Sequence, residues 1–210
     1  MPKRAVPPPP GVRENLLEAA LELFTTRGYA ATTVREIVRE AGVTQPVLYY
    51  YFKSKEGIYL EILSRALTTL RTTLEAQPRD ARRAEEGLRN LCDTFFAQFQ
   101  RHLRVVRLIY ATFYGPPGGA PAFDLEAFHA LTAAAIRRWV DLGAGRGEFR
   151  RTDRTAMALA VHGALNVAME IELAHGKGRL GRKGLHAILD VIFNGLRAGR
   201  PAKEETHGRR

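Results

Sequence analysis

Residues 33–55 read TVREIVREAGVTQPVLYYYFKSK, and their pattern predicts two short helices joined by a tight turn. Thr33 and Glu36 form a Thr-x-x-Glu capping box, which starts a helix. From Val34 onward, apolar residues recur at i, i+3, i+4 and i+7, which is the spacing of one buried helix face. Gly42 can adopt the left-handed conformation that ends a helix, so the first helix is predicted to end there.

The second helix is predicted to have one apolar face and one polar, aromatic face. Thr44 is a good N-cap, and Pro46 lies in the first turn, where a missing N–H has no cost. Val47, Leu48 and Phe52 are expected to face inward, whereas Gln45, Tyr49, Tyr50 and Lys53 are expected to face outward. Two helices joined by a short turn that contains glycine form a helix-turn-helix unit.

An upstream helix completes this unit. Leu17, Ala20, Leu21 and Phe24 form an apolar stripe, and Gly28 ends the helix. Three helices of this size can share one small core and place the last helix across the major groove of DNA. An ordinary helical hairpin inside a larger core is the alternative, but it would not need polar and aromatic residues on its outer face.

These residues resemble the DNA-binding domain of the TetR family of transcriptional regulators over about residues 12–63. The matching positions are Phe24, Gly28-Tyr29, Thr33 to Ile37, Ala41-Gly42-Val43, Leu48 to Phe52 and Ser54-Lys55-Glu56. The resemblance implies an all-α protein with an N-terminal three-helix DNA-binding domain and a helical ligand-binding and dimerisation domain. The DNA-binding surface is expected to consist of Thr33, Thr44, Gln45, Pro46, Tyr49, Tyr50, Lys53 and Lys55.

Two residues depart from the family pattern. Pro46 often corresponds to Gly or another small residue, and a proline offers no N–H to a phosphate. Gly57 lies in the start of the fourth helix, where it is expected to cost about 1 kcal/mol relative to alanine. We expect it to soften the joint between the two domains.

The side chains of the reading helix suggest distinct roles. Gln45 can form two hydrogen bonds with adenine, and the hydroxyl groups of Tyr49 and Tyr50 suit phosphate bonding. Thr44 can cap the helix or bond a base or phosphate, and the sequence does not separate the two. Lys55, next to the expected cap Ser54, is predicted to form a phosphate site at a helix N-terminus, with a solvated surface lysine as the alternative. Tyr51 is expected to lie in the core.

Charge and cysteine content restrict the class of protein. The chain has 210 residues and a formal charge of +10, but residues 1–57 hold eight Lys/Arg against six Asp/Glu. The positive charge is therefore not concentrated in the reading unit. The excess of basic residues in the rest of the chain indicates either an anionic ligand or a solvated Arg-rich surface, and we favour the surface. The single cysteine, Cys92, cannot form an internal disulfide, which suits a reducing cytoplasm, and its spacing predicts a buried core position.

The chain divides into four predicted segments. Residues 1–11 are a Pro-rich disordered arm without a signal peptide, residues 12–57 the DNA-binding domain, residues 58–199 the ligand-binding and dimerisation domain, and residues 200–210 a disordered tail. Predicted helices after the reading unit span about residues 54–75, 81–114 with a break near His102, 122–142, 153–175 and 182–198. The GPPGGAP segment at residues 115–121 is predicted to be a loop.

The segment 153–175 is apolar almost all round, so it should be covered on more than one side. We expect a second subunit to provide one cover, as a four-helix bundle with the last helix. The predicted interface is Gly163, Ala164, Val167, Ile171, Leu185, Ile188, Leu189, Ile192 and Leu196. A membrane span is the rival reading, but His162, Asn166, Glu170 and Glu172 interrupt the apolar run.

The resemblance implies a homodimer that binds a palindromic DNA operator and is released by a small hydrophobic effector. The alternative is a DNA-binding dimer that is constitutive or controlled by a protein partner. Aromatic residues with sparse polar groups suit such an effector, although aromatics at helical spacing more often belong to a core. The candidates are Phe96, Phe99, His102, Tyr110, Phe113, Phe128, Trp139, His162 and Asn166.

No enzyme motif fits the sequence. Gly176, Gly178 and Gly181 match a dinucleotide fingerprint in spacing, but they follow a helix rather than a strand, so we interpret the match as chance. The histidines show no metal-ligand spacing, and no cofactor is expected. Glu170 and Glu172 are interpreted as ordinary surface or rim charges.

Overall fold

The computed structural model describes residues 11–115, 119–150, 153–176 and 178–196. Within these ranges the regular structure is helical, apart from an isolated bridge residue at Phe149, and the predicted all-α class is confirmed. The helices are α1 (Val12–Arg27), α2 (Val34–Glu40), α3 (Gln45–Phe52), α4 (Lys55–Glu75), α5 (Ala84–Arg101), α6 (Leu103–Phe113), α7 (Glu126–Gly145), α8 (Arg154–His175) and α9 (Gly181–Leu196).

The predicted helix boundaries agree closely with these elements. The break expected near His102 is present, since His102 separates α5 from α6. α7 begins at Glu126, later than predicted, because the preceding residues form an irregular segment in which Asp124 accepts a hydrogen bond from the N–H of Ala127 (3.2 Å). The predictions for the arm, the tail and the centre of the 115–121 loop fall almost entirely outside the described residues.

The chain forms two compact units, and their limits differ from the predicted functional division. The first unit comprises residues 11–76 together with 98–131, and the second comprises residues 77–97 together with 132–196, as far as they are described. α4 and α6 thus belong to the same unit as the helix-turn-helix. The functional boundary near residue 57 stays a prediction.

The core of the first unit is built around α1. Leu16, Ala20 and Phe24 are buried on the predicted stripe, and α1 contacts α2, α3, α4 and α6. Tyr59 of α4 is fully buried against the ring of Phe24 (5.5 Å between centroids). Its hydroxyl group is hydrogen-bonded to Thr112 of α6, so α4 and α6 are joined by a polar contact inside an apolar core.

The second unit contains α8 and α9, which pack on each other. Among the described helices, α8 is long and apolar enough to cross a membrane by length and composition alone. One third of that stretch (33%) is buried inside the protein. Its polar residue Glu172 is fully buried and hydrogen-bonded, which is the behaviour of a packed helix.

Candidate nucleic-acid interface

The capping box of α2 forms as predicted. The Thr33 side chain accepts a hydrogen bond from the N–H of Glu36 (3.3 Å), and the Thr33 N–H donates to Oε2 of Glu36 (2.9 Å). The hydrogen bond from this backbone N–H is the main reason that the pKa of Glu36 is lowered. Arg27, in the last turn of α1, pairs with the other oxygen of Glu36 at 2.8 Å. The start of α2 is therefore fixed to the end of α1.

The two faces of α3 also lie as predicted. Leu48 and Phe52 are buried, and Val47 is half-buried against the core. On the other side, 47% of Tyr49 and 64% of Tyr50 are exposed. Gln45, Pro46 and Lys53 are exposed as well, with Pro46 in the first turn and Lys53 closing the helix at a φ of 60°. Exposure makes these side chains available to DNA, and their contact with it stays a prediction.

Thr44 and Tyr51 occupy the positions expected of them. Thr44 is the N-cap residue of α3, but its side chain makes no capping hydrogen bond. Because Thr44 is exposed and its hydroxyl does not bond the N–H groups at the start of α3, the hydroxyl is available for a contact with a DNA base or phosphate. Tyr51 is half-buried against the core, and the ring of Tyr50 rests edge-on against it at 5.1 Å.

Gly57 has a role opposite to the predicted one. A Cβ atom at this position would lie 2.0 Å from the backbone oxygen of Phe52, the last residue of α3. Glycine is therefore required for the close approach of α3 to the first turn of α4, and alanine is not a better residue here. The expectation that a better helix former would suit this position is wrong, and the first turn of α4 is capped by Ser54 through the N–H of Gly57 (2.9 Å). The softening of the joint stays a prediction.

Lys55 is not a solvated surface lysine. Its Nζ donates hydrogen bonds to the backbone oxygens of Tyr29 and Thr32, both at 2.9 Å, and lies 4.0 Å from the centroid of the Tyr29 ring. Burial of the ammonium group lowers its pKa. The predicted phosphate contact would have to use the remaining N–H of this group.

The nine predicted ligand residues are divided between the two units. Phe99, His102, Tyr110, Phe113 and Phe128 belong to the first unit, and Phe96, Trp139, His162 and Asn166 belong to the second. Phe96, Phe99 and Trp139 are buried, His102 is exposed, and 43% of Phe113 is exposed. The structure pairs Phe113 with His129 (5.3 Å) and with Tyr114 (4.9 Å), two partners that the sequence did not suggest.

A cleft of about 350 Å³ lies in the first unit, and none of the predicted ligand residues lines it. Its walls are mainly polar, and Arg104 in α6 forms ion pairs with Glu18 (2.7 Å) and Glu22 (3.3 Å) of α1. These side chains bind each other across the cleft. They tie α6 to α1, which the sequence could not show because the partners are more than 80 residues apart.

The predicted dimer face needs a correction. Leu185 and Leu189 are fully buried in the core of their own unit, so a second subunit cannot reach them. Val167, one of the predicted residues, is 51% exposed, and on the same two helices Leu159 (62%) and Val191 (75%) are exposed although they were not predicted. Of the other predicted residues, Gly163 is exposed, whereas Ala164, Ile171, Ile188, Ile192 and Leu196 are half-buried.

Glu172 and the glycine-rich segment after α8 form one structure. The buried carboxylate of Glu172 accepts hydrogen bonds from the N–H groups of Gly178 (2.6 Å), Leu180 (2.8 Å) and Gly181 (2.8 Å). Gly176, Gly178 and Gly181 all have positive φ values. The interpretation of Glu172 as a rim charge is therefore wrong. The glycine pattern does bind an anion, but the anion is the protein's own carboxylate.

Cys92 lies in the core as predicted, and burial is the main reason that its pKa rises to about 12. A protonated thiol of this kind is a poor nucleophile and a poor metal ligand. Among the described residues no group of three or more His, Cys, Asp or Glu side chains could hold a metal ion.

A capped helix, a glycine turn and a second helix with a sealed inner face and an exposed polar face define a DNA-binding protein of the helix-turn-helix class. The sequence model described as "Bacterial regulatory proteins, tetR family" matches residues 16–62. The HTH-type transcriptional repressor KstR2 of Mycolicibacterium smegmatis is 34% identical over 149 residues, which cover 68% of this chain and 69% of that protein. The chain therefore belongs to the TetR family of DNA-binding transcriptional regulators.

Two further similarities extend this result. The HTH-type transcriptional activator FasR of the same organism is 36% identical over 102 residues, so the match spans 49% of this chain and about half (47%) of FasR. The structure of SmeT of Stenotrophomonas maltophilia in complex with triclosan covers 90% of this chain and 92% of its own, with a TM-score of 0.70 at 18% identity. At that identity SmeT shows the fold alone. Within this family the apolarity of α8 does not indicate a membrane protein.

Proposed function

We propose that this regulator is a cytoplasmic repressor: a homodimer that binds a palindromic operator and is released by a small hydrophobic effector. The supporting observation is the division of α3, where the inner face is sealed by Leu48 and Phe52 and the outer face presents Tyr49 and Tyr50 to solvent. Two adjacent exposed tyrosines on one short helix form an aromatic and hydroxyl-bearing surface that a partner can cover.

The residues of α3 differ in the DNA groups that they are proposed to contact. Gln45, in the first turn, is placed to read adenine through two hydrogen bonds in the major groove. Tyr49 and Tyr50 provide hydroxyl groups for phosphates and ring surface for a thymine methyl group. Pro46 supplies no N–H, so side chains must provide the contacts near the N-terminus of α3. Lys53 adds a positive charge at its C-terminal end.

The exposed apolar face on α8 and α9 supports the homodimer. Leu159, Gly163 and Val167 recur at intervals of four on α8 and are all exposed, and Val191 is the most exposed large apolar residue of α9. A second copy would cover this face with the same residues around a two-fold axis. A two-fold dimer then reads two half-sites about 34–36 Å apart.

Two observations support an effector. The indole N–H of Trp139 is buried in the second unit and has no hydrogen-bond partner, which costs stability unless an acceptor is supplied. SmeT, which shares the fold, is known in complex with triclosan. We infer an apolar effector that carries a hydrogen-bond acceptor, and it must prefer one of two dimer states to change operator affinity.

A second candidate is a DNA-binding dimer without a small-molecule effector, either constitutive or controlled by a protein partner. It is favoured by the polar cleft of the first unit, which is crossed by ion pairs of Arg104 with Glu18 and Glu22 and therefore does not suit an apolar effector. The direction of regulation is also part of the proposal, because the relatives include both a repressor and an activator. Catalysis is not part of either candidate.

Selection of bound duplexes from a random pool tests the DNA-binding proposal. Wild-type protein should enrich a palindrome, and Tyr50→Ala should lose most of the affinity for it while the dimer stays intact. Tyr114→Ala is the matched control, since 69% of Tyr114 is exposed but it lies outside α3. The proposal is wrong if the protein is a monomer or binds no duplex at low ionic strength.

A thermal-stability screen separates the two candidates. An effector that binds the folded protein raises the melting temperature by mass action. Pairs of apolar compounds that differ only in a carbonyl or hydroxyl acceptor should show the larger rise with the acceptor, and Trp139→Phe should remove that difference. If no stabilising compound changes operator affinity, the second candidate is supported instead.

A further inference from the structure

The ammonium group of Lys55 is bound by the loop between α1 and α2. Its two hydrogen bonds, to the carbonyl oxygens of Tyr29 and Thr32, are both 2.9 Å long, and the Tyr29 ring covers a third side. Two carbonyl dipoles and an aromatic face thus replace much of the hydration of the cation. An ammonium group held in this way is not extended toward a DNA backbone.

The position of Lys55 in the chain makes this arrangement informative. It is the first residue of α4, next to the N-cap Ser54. The N-terminus of a helix carries positive partial charge, so a lysine there is electrostatically unfavourable. The loop carbonyls direct negative partial charge at the ammonium and offset this repulsion. A lysine at this position therefore stabilises the loop between α1 and α2, and it does not stabilise the start of α4.

One of the bound carbonyls belongs to the peptide group that starts α2. The oxygen of Thr32 and the N–H of Thr33 lie on opposite sides of one planar trans peptide group. Lys55 binds the oxygen at 2.9 Å, and Oε2 of Glu36 accepts from the N–H at 2.9 Å. Arg27 in turn pairs with Glu36. A polar chain thus runs from α4 through the start of α2 to the end of α1.

The loop that holds Lys55 is itself well fixed. Only 1% of Thr32 is exposed, and its hydroxyl donates to the backbone oxygen of Gly28 at 2.8 Å. The ring of Tyr29 packs against Phe24 (5.4 Å) and Tyr59 (4.9 Å). Lys55 is therefore attached to a packed part of the first unit.

We propose that Lys55 is a positioning residue for DNA reading, which fixes the first turn of α4 to the start of α2 and does not bind a DNA phosphate. Lys53, two residues earlier and exposed, is the lysine that binds phosphate. The consequence for DNA binding rests on the proposed function. The two hydrogen bonds of Lys55 to the carbonyl oxygens of Tyr29 and Thr32, which we call the clamp, do not depend on the proposed function.

The salt dependence of DNA affinity distinguishes the two roles. Each phosphate contact contributes about 0.9 to the slope of log affinity against log salt, so a dimer that loses one contact per subunit loses about 1.8. Full-length Lys53→Met should show this flatter slope. Lys55→Met should instead bind the selected operator about tenfold more weakly at every salt concentration, with an unchanged slope, and should melt several degrees below wild type and Lys53→Met.

Glu36→Gln provides an independent arm, because it weakens the other side of the same peptide group and leaves Lys55 in place. It should also weaken operator binding at an unchanged slope, and its combination with Lys55→Met should cost less than the sum of the two. If Lys55→Met does not fold by circular dichroism, the clamp is supported and the slope is measured on Lys55→Gln.

The opposite pattern would overturn the proposal: a Lys55→Met slope that is flatter by about 1.8 at an unchanged melting temperature. Recovery of wild-type affinity and stability by Lys55→Arg would also overturn it, because a guanidinium keeps the charge but not the compact geometry of the ammonium. If wild-type protein binds no duplex, the proposed function fails, and the melting temperatures alone still test the clamp.

Discussion

Substitution of Glu172 should destabilise the protein severely. The carboxylate is fully buried and accepts three backbone N–H groups of the loop between α8 and α9, at 2.6, 2.8 and 2.8 Å. Hydrogen bonds to a charged group contribute about 1.5–3 kcal/mol each. Gly178 is exposed, so water can replace its partner, whereas the donors of Leu180 and Gly181 are less accessible. We expect Glu172→Ala to cost about 3–5 kcal/mol.

Thermal and urea unfolding measure this effect. A loss of about 3–5 kcal/mol corresponds to a melting temperature lower by roughly 6–20 °C for a chain of this size. Glu172→Gln keeps one acceptor oxygen and should lose about half as much. Glu170→Ala is the matched control, since Glu170 is exposed on the same helix and should change stability by less than about 0.5 kcal/mol. Equal melting of Glu172→Ala and the control would refute the assigned role of the carboxylate.

Three other substitutions or conditions test the structure. Gly57→Ala should lower stability by about 1–3 kcal/mol in urea unfolding, because its Cβ would meet the Phe52 carbonyl oxygen. Gly195→Ala is the control, since the space around Gly195 is open and the substitution should be neutral or stabilising. A stabilised Gly57→Ala variant would contradict the close approach. Cys92, whose pKa burial raises to about 12, should react with iodoacetamide only after unfolding, and labelling of the native protein at neutral pH would show that the thiol is accessible. The pKa of Glu36 is lower in the folded state, mainly through its hydrogen bond from a backbone N–H. Its contribution to stability is therefore present at neutral pH and is lost as the pH falls through this lowered pKa. The gap in melting temperature between wild type and Glu36→Gln should therefore close on acidification, and a gap that persists at low pH would exclude this linkage.

Features that depend on neighbouring residues were predictable from the sequence. The Thr33–Glu36 capping box, the turn at Gly42 and the two faces of α3 each follow from spacing within one or two helical turns. The break at His102 follows from the same kind of pattern. These features place the reading unit before any tertiary contact is considered.

Features that depend on distant residues were not predictable. The partners of Lys55 lie 23 and 26 residues before it in the chain. The requirement for glycine at position 57 comes from a backbone oxygen of the preceding helix. Contacts with backbone atoms leave no pattern of side chains in the sequence. The same holds for Glu172, although a single acid in an apolar helix followed by a glycine-rich loop is a usable signal for an internal anion site.

The predicted dimer face illustrates a different limit. α9 has apolar residues on two faces, and periodicity shows that both exist without showing which one the subunit covers itself. α9 packs on α8, and Leu185 and Leu189 are buried whereas Val191 is exposed. The distinction needs the arrangement of two helices in space, which the sequence pattern of one helix does not contain.

The close contact between the Phe52 oxygen and Gly57 connects the end of α3 directly to the first turn of α4. Only Lys53 and Ser54 separate the two helices, so a movement of α4 is expected to move the end of α3 as well. With 21 residues, α4 is about 31 Å long, so a tilt of about 5° moves one of its ends by about 3 Å relative to the other. A displacement of that size is comparable to the spacing of adjacent base pairs. In the proposed homodimer, it would be enough to move the two reading helices out of register with the DNA.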